Sequence, residues 1–565
     1  MKPRAGLESA AVVLAALLAG LPLLAGRLLG GHDVATYLAY ASQAAALARE
    51  GTFLPAWGAD LNAGFGGPGL FLYPPLVNLP HALLVLAGVP TAVGTGLAAV
   101  LLLALSGLAV LGWLRAAGLA DGALAGALLY VASPYRLVDL YERTALSENL
   151  AFLFPPLVLC ALAAGRGVPA GRRAALVALA AAGLFLSNLP AAVLFGAALA
   201  GLVLHPALGA GRRVVAVSGA ALGAGLAAFA LLPAAFSSRW CATELFYSGG
   251  SLHFRPSRHV LFGPAELNPA FGRSVSWAVV ALAALALAAF LLGRPHAAAD
   301  PRRRAWAVVA LVAFAAVLPP AGPVWDTLPV LSKLQFPWRL ATVLTLAAAA
   351  LVALAPRRAG LALAGVAAVA AIPWWGRSVA SLESLPLHRP APTAPGTAFP
   401  DPSVVHEASG LSTNRSARNP LLLDVWFVPK TVPIPFWNAL VVAGDGATGV
   451  PLSRAPVASA AGPVRWDVRS WRRLSGTVAV DAPAGSLLLH QLAFPGFRVE
   501  VDGVERPVRA DARTGLLAVD VPAGRHEVSW RWEPFPFLRR ARVVSAVAVL
   551  AALALLLSPS LRRDR

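Results

Sequence analysis

Three short stretches set ionisable residues against apolar runs. His32-Asp33 follows the first hydrophobic run directly. Ser133–Phe152, SPYRLVDLYERTALSENLAF, carries Arg136, Asp139, Glu142, Arg143 and Glu148. Leu334-Gln335-Phe336-Pro337-Trp338-Arg339 opens a later apolar run. A charge at the mouth of a membrane helix costs a few kcal/mol unless it is solvated or used, so each invites a functional reading. A guanidinium at Arg339 has the fork geometry that suits a phosphate at the bilayer surface. Each stretch also has a plainer reading. Asp33 can be a solvated loop acid, and Glu148 a first-turn acid that complements a helix dipole behind a Ser147 cap. Arg339 can snorkel, and Trp338 can sit in an interface belt behind a first-turn Pro337. Trp57, Tyr73, Trp240 and Trp338 offer faces for sugar rings, although interface anchoring is the commoner use of such side chains. The loop Ser237–Ser274 holds Arg239, Glu244, Tyr247, His253, Arg255, Arg258, His259 and Glu266, enough polarity for a sugar or headgroup pocket but no metal-binding spacing. Phosphate-cradling loops, dinucleotide fingerprints and nucleophile elbows do not occur.

The elements that must position these residues belong to a membrane protein. Hydrophobic residues make up 58% of the 565 and charged residues 13%, where a soluble domain carries about 25% charged. The net charge of +19 comes from arginines in short loops between apolar runs, which speaks for topology rather than nucleic acid. Cys160 and Cys241 offer no disulfide framework and no metal cluster. The first apolar run is too long for a signal-peptide core and no A-x-A site follows, so it reads as a retained transmembrane helix.

Apolar runs at 8–29, 93–115, 119–135, 146–164, 172–187, 189–207, 212–236, 275–293, 303–320, 336–354, 359–375 and 541–558 predict about 12 transmembrane helices. The short piece Leu76–Gly88, interrupted by Asn78, Pro80 and His81, decides the topology. If it lies in the interface instead of crossing, the arginine-bearing loops fall on the side of Lys2 and Arg4, which places both ends in the cytoplasm. Asp33, the Tyr135–Glu148 loop, Ser187-Asn188, Ser237–Ser274 and the approach to Arg339 then converge on the outer face. Residues 376–538 change character: alternating runs such as Gly476–Val480, Ser486–Leu492, Phe497–Val501 and Glu527–Trp532 are separated by turn signals and predict an antiparallel β-sandwich. The expected layout is a transmembrane domain over 1–375 with a first outer loop at 30–92. A β-rich extracytoplasmic domain at 376–538 and a C-terminal anchor with basic tail at 539–565 follow.

The run GHD…G-x-F-x-P-x-W…G-x-G-G-P…F-x-Y-P-P-L, then SPYR…Y-x-R-x-A-x-x-E, then QFPWR, resembles the bacterial membrane proteins labelled 6-pyruvoyl-tetrahydropterin synthase-related (YfhO-like), a label with no pterin chemistry behind it here. Phe494–Gly503 and Pro522–His526 look like the outer β-domain of related proteins implicated in polymer glycosylation. The resemblance spans most of the chain and implies the GT-C glycosyltransferase superfamily, which takes a sugar from a polyprenyl-phosphate carrier on the outer face. It implies an acid in the first outer loop, an interfacial helix after Pro74-Pro75-Leu76, and a second acid after the third span. Asp33 and Glu148 match those acids. Asn188 stands where many relatives have a more ionisable residue such as histidine, and it is not assigned a catalytic role.

The expectation that results is a bacterial inner-membrane glycosyltransferase working on an extracytoplasmic glycan, polymer or lipid acceptor, with no nucleic-acid partner. Asp33 is the expected general base and Glu148 the acid that orients the acceptor or, with Asp33, holds a divalent cation. His32, Arg143, Gln335, Arg339, Trp57 and Tyr73 are the expected substrate contacts. Two other classes stay open: a transporter or flippase for a lipid-linked saccharide, which favours mid-membrane polar residues and broken helices, and a non-catalytic envelope scaffold.

Overall fold

A computed structural model of the chain describes residues 2–24, 33–62, 64–89, 91–165, 167–205, 208–243, 255–264, 269–293, 300–381, 429–432, 457–459 and 461–558. His32 and the proline-rich stretch 390–402 lie outside the described residues.

The helical body is built around Ala341–Leu354, in which every residue but the last is buried. Its sequence, ATVLTLAAAALVAL, is apolar all round, which suits a helix surrounded by protein rather than lipid. Ala123–Val131, Pro269–Leu292 and Pro301–Ala315 pack around it. Small residues let the backbones close: a Cβ at Gly96 would collide with the Leu23 carbonyl, and one at Gly122 with that of Ala353.

Among the described residues, eight helices are long and apolar enough to cross a membrane, and up to ten if each of two bent pairs counts as one span. The other runs behind the expected count of about 12 form shorter or bent helices. Of the predicted runs, 119–135 yields only the nine-residue helix Ala123–Val131 before Ser133-Pro134 redirects the chain. The run 189–207 yields the 16-residue helix Leu189–Leu204 between an Asn188 cap and His205. The runs 212–236 and 303–320 each give a pair bent by 79°, Ala210–Leu226 with Ala228–Ala235 and Pro301–Ala315 with Pro319–Thr327.

The piece that decides the topology forms a 3₁₀ turn, Pro75–Val77, and a helix, Asn78–Leu86. At about 1.5 Å per residue these are far shorter than a bilayer core of about 30 Å. The helix lies against Val34–Arg49 through Ala45, Ala82 and Val85.

Among the described residues nine strands follow: β1 (Val457–Ser459), β2 (Arg465–Arg472), β3 (Ser475–Ala482), β4 (Gly485–Leu492), β5 (Phe497–Val501), β6 (Val504–Arg506), β7 (Arg509–Ala510), β8 (Leu516–Val521) and β9 (Gly524–Trp532). They form two antiparallel sheets, ordered β1-β4-β8-β7 and β2-β3-β9-β5-β6. Val478, Leu487, Leu489, Val499, Val519, Val528 and Trp530 from the two sheets share one apolar core, which makes the pair a sandwich. The final helix, Pro536–Leu557, runs from β9 back along the helical body.

The same apolar core takes in Trp57, Leu61, Phe65 and Phe71 of the first loop. Trp57 donates its indole N–H to Gln491 Oε1 at 2.7 Å, and Gln491 Nε2 donates to the Gly64 carbonyl at 2.8 Å. Phe65 stacks on His490 at 4.0 Å, and its carbonyl accepts from Leu492 N. Arg473 reaches Glu50 at 2.7 Å and Asp60 at 2.8 Å. Burial alone would push the Arg473 guanidinium down, but the two carboxylates hold it above its ordinary value. The glycine cluster serves this joint: Gly58 pairs with Gly67, and Gly66, at φ 82°, lies where a Cβ would run into the Trp57 indole.

Candidate active site

Asp33 stands at the N-cap position of the helix Val34–Arg49 without a side-chain cap bond, and its N–H donates to the Arg143 carbonyl at 3.0 Å. Arg143 ends a π-helical turn, Asp139–Arg143, a distortion that in proteins often marks a functional position. Thr144, at φ 55°, then reverses the chain so that Leu146–Ala151 brings Glu148 back over the turn. The 3₁₀ turn Pro337–Leu340 feeds directly into the buried central helix, which fixes Arg339 at its entrance.

These placements converge on one ion cluster. Arg143 Nη1 lies 2.5 Å from Asp139 Oδ1 and 2.8 Å from Glu148 Oε2, and Nη2 lies 3.4 Å from Asp33 Oδ2. Arg339 Nε approaches Glu148 Oε2 at 3.3 Å, an ion contact without an aligned hydrogen bond, while Nη1 donates to the Leu334 carbonyl at 3.0 Å. Tyr135 donates to Glu148 Oε1 at 2.7 Å. Asn149 Nδ2 donates to Asp139 Oδ2 at 3.1 Å, and Asn149 Oδ1 accepts from Arg136 Nε at 3.1 Å. The Asp139 and Glu148 side chains are wholly buried, whereas that of Asp33 keeps 21% exposure. Three carboxylates thus surround one guanidinium, and Asp33 alone of the three opens to solvent.

A hydroxyl network adjoins the cluster. Tyr37 and Ser147 hydrogen-bond at 2.7 Å, Tyr73 lies 3.4 Å from both, and Asn188 Nδ2 donates to Ser147 at 3.1 Å. An aromatic wall closes the other flank: Phe336 stacks on Trp338 at 4.5 Å, His259 meets both edge-on, and the Arg143 and Arg339 guanidiniums lie over the Phe336 ring.

Of the expected site residues, Asp33, Arg143, Glu148 and Arg339 meet in the cluster and Tyr73 borders it. Gln335 is buried with left-handed backbone (φ 62°) in the turn that leads to Phe336. Trp57 stands apart, fully buried in the joint with the sandwich, where it has no face left for a sugar. Trp338 is buried in the aromatic wall and not in an interface belt. Ser147 does not cap: Ala145 holds that position, and the Ser147 hydroxyl faces Tyr37. Sequence reasoning passed over Tyr37, Tyr135 and Asn149 and named Asp139 without giving it a role. Asp139 stood in the motif already, four residues before Arg143, a spacing that pairs side chains on a helical turn.

A divalent cation between Asp33 and Glu148 does not fit this arrangement. The Arg143 guanidinium already bridges the two acids, and both Glu148 oxygens are engaged by Tyr135 and arginine. Among the described residues, no group of three or more His, Cys, Asp or Glu side chains is placed to hold a metal.

Fold and site define a polytopic helical membrane protein with a buried ion cluster near the junction of its helical body and an antiparallel β-sandwich. No family model matches the chain, and no curated protein does. Among solved structures it is similar to the cryo-EM structure of arabinofuranosyltransferase AftD from Mycobacteria, with 21% identity over 66% of this chain and 26% of that one and a TM-score of 0.42. A mutant form of AftD gives 21% identity, 66% and 27% coverage, and a TM-score of 0.41. The chain spans about a quarter of the length of those structures.

Proposed function

We propose that the protein is a GT-C-type membrane glycosyltransferase that moves a sugar from a polyprenyl-phosphate carrier to an extracytoplasmic glycan, polymer or lipid acceptor in the bacterial inner membrane. The observation that carries this reading is the state of Asp33: a carboxylate held by Arg143 at the solvent-open edge of an otherwise buried cluster. The three motifs that resemble the glycosyltransferase pattern supply Asp33, Arg143, Glu148 and Arg339, all four members of one contact network.

In this reading the acceptor hydroxyl gives its proton to Asp33 as its oxygen bonds to the anomeric carbon. The bond from that carbon to the phosphate oxygen breaks, and the carrier leaves as polyprenyl phosphate. Arg339, held between Glu148 and the Leu334 carbonyl, meets the phosphate charge. Glu148 is a positioning residue: it holds Arg143 and Arg339 side by side and contacts no substrate. Tyr73 and Tyr37 border the space where the sugar stands. The sandwich presents the acceptor.

The two broken helices would suit a transporter. One break, however, is closed by the protein itself: Phe229 N donates to Ser545 Oγ at 2.9 Å, and Ser545 donates to the Gly225 carbonyl at 3.1 Å. Backbone groups freed at that bend are satisfied by the final helix, not aimed at a solute path.

The test is transfer by purified protein in lipid nanodiscs. The donors are polyprenyl-phosphate sugars, and the acceptor is envelope glycan from cells lacking the protein. Asp33→Asn should purify with parental thermal stability, still bind donor and lose on the order of 10²–10⁴ in transfer rate. Transfer at the parental rate by this variant would overturn the assignment.

A further inference from the structure

At the end of the helical body remote from the ion cluster lies a cavity of about 320 Å³, within the size range of ligand pockets. It opens at the Trp113 end of Thr91–Ala116, the Ala163 end of Phe154–Ala163, the His205 end of Leu189–Leu204 and the Arg302 end of Pro301–Ala315. Leu159, Leu162, Leu199 and Leu202 form its walls. Trp113 and Trp306, edge to face at 5.4 Å, close one side. Its rim is basic: Arg212 and Arg302 line it, and Arg213 donates to the His205 carbonyl beside it. Asp300, the carboxylate that Arg302 grips, is consumed by that bidentate contact, and a further Arg302 nitrogen is tied to the Ala117 carbonyl. Arg212, in the first turn of Ala210–Leu226, is exposed.

We propose that this cavity is a binding site for an anionic membrane phospholipid, with an acyl chain along the leucine wall and the headgroup phosphate at Arg212. Charge and shape point the same way. A soluble anion has no use for a leucine-lined slot between apolar helices, and a neutral lipid gains nothing from the arginine rim. Basic pockets between membrane helices draw anionic headgroups in this way, and one arginine contributes about fivefold in affinity near such a surface. The site is independent of the transfer reaction proposed above, since none of its residues belongs to the cluster.

The experiment reconstitutes the full chain in phosphatidylcholine nanodiscs with and without phosphatidylglycerol, then reads melting temperature and the lipids retained in native mass spectrometry. Phosphatidylglycerol should raise the melting temperature and be retained in preference to phosphatidylcholine. Arg212→Gln should cut that preference about fivefold, while Arg358→Gln, a basic residue at the same end but outside the cavity, should leave it unchanged. Ala163→Phe fills the slot without touching charge and should remove the retained lipid, which keeps the test decisive if Arg212→Gln folds poorly. Equal retention of the two lipids, equal losses in Arg212→Gln and Arg358→Gln, or full stabilisation by inorganic phosphate alone would each overturn the proposal.

Discussion

Arg143 and Asp33 touch each other, yet their substitution should have opposite consequences. Asp33→Asn removes one of three acids around Arg143, and the guanidinium keeps Asp139 and Glu148. Arg143→Ala leaves the wholly buried Asp139 carboxylate without a cation and Glu148 with Arg339 alone. Breaking such a buried pair costs about 3–5 kcal/mol. The expected result is a lower melting temperature and poor recovery from membranes for Arg143→Ala, against a parental profile for Asp33→Asn. Arg339 separates charge from shape: Arg339→Lys keeps the cation but loses the planar fork, and should fold yet lose most transfer activity. Full activity in Arg339→Ala would reduce this residue to a structural partner of Glu148. The ionisable members of the site were legible because acids and arginines beside apolar runs are rare and costly. Tyr37, Tyr135 and Asn149 were not, because each is an ordinary polar residue in sequence and acquires meaning only when Glu148, Ser147 or Asp139 is folded against it.

The first loop and the sandwich are one packed unit, which the sequence does not announce. The strands themselves were readable where apolar and polar residues alternate between turns, as in β3, β4, β5 and β9. β2, with the sequence RWDVRSWR, alternates only until its register shifts after Val468, and it is an edge strand exposed along most of its length. Trp57 suggested a face for a sugar, whereas it and the glycines shape the joint. Two variants test that joint. Arg473→Ala leaves Glu50 and Asp60 partly buried without their cation, and should lower the melting temperature without altering the Asp33 cluster. Gly66→Ala puts a side chain on a left-handed backbone against Trp57 and should cost roughly 1–3 kcal/mol. Protease cleavage between residues 50 and 70, mapped by mass spectrometry, should rise in both variants and not in Asp33→Asn. Helix lengths were less legible for a related reason. Hydropathy marks apolar length but cannot see Ser133-Pro134 or Asn188 end a helix early, nor a 79° bend divide one.

At the scale of the whole molecule, chain segments far apart in sequence meet at both ends of the helical body. Asn188, Ser147, Tyr37, Asp33 and Arg339 lie in one connected network. Deleting residues 457–532 should therefore do more than remove an appendage. It strips the cover from Trp57, Phe65 and Phe71, so the truncated protein should elute as aggregate in size-exclusion chromatography, while the full chain stays monodisperse.

The hydrogen bond from Trp57 to Gln491 closes across 434 residues. A ribosome adding about 5–20 residues each second needs roughly 20–90 s to cover that distance. Throughout that interval the first loop has been made and its partner has not. Every nascent copy passes through a period in which an aromatic face waits for a surface still to be synthesised, and its fate depends on what shelters that face meanwhile. The yield of this protein in a cell is thus set partly by a clock, and slowing translation ahead of the sandwich should waste chains even though the finished protein is unchanged.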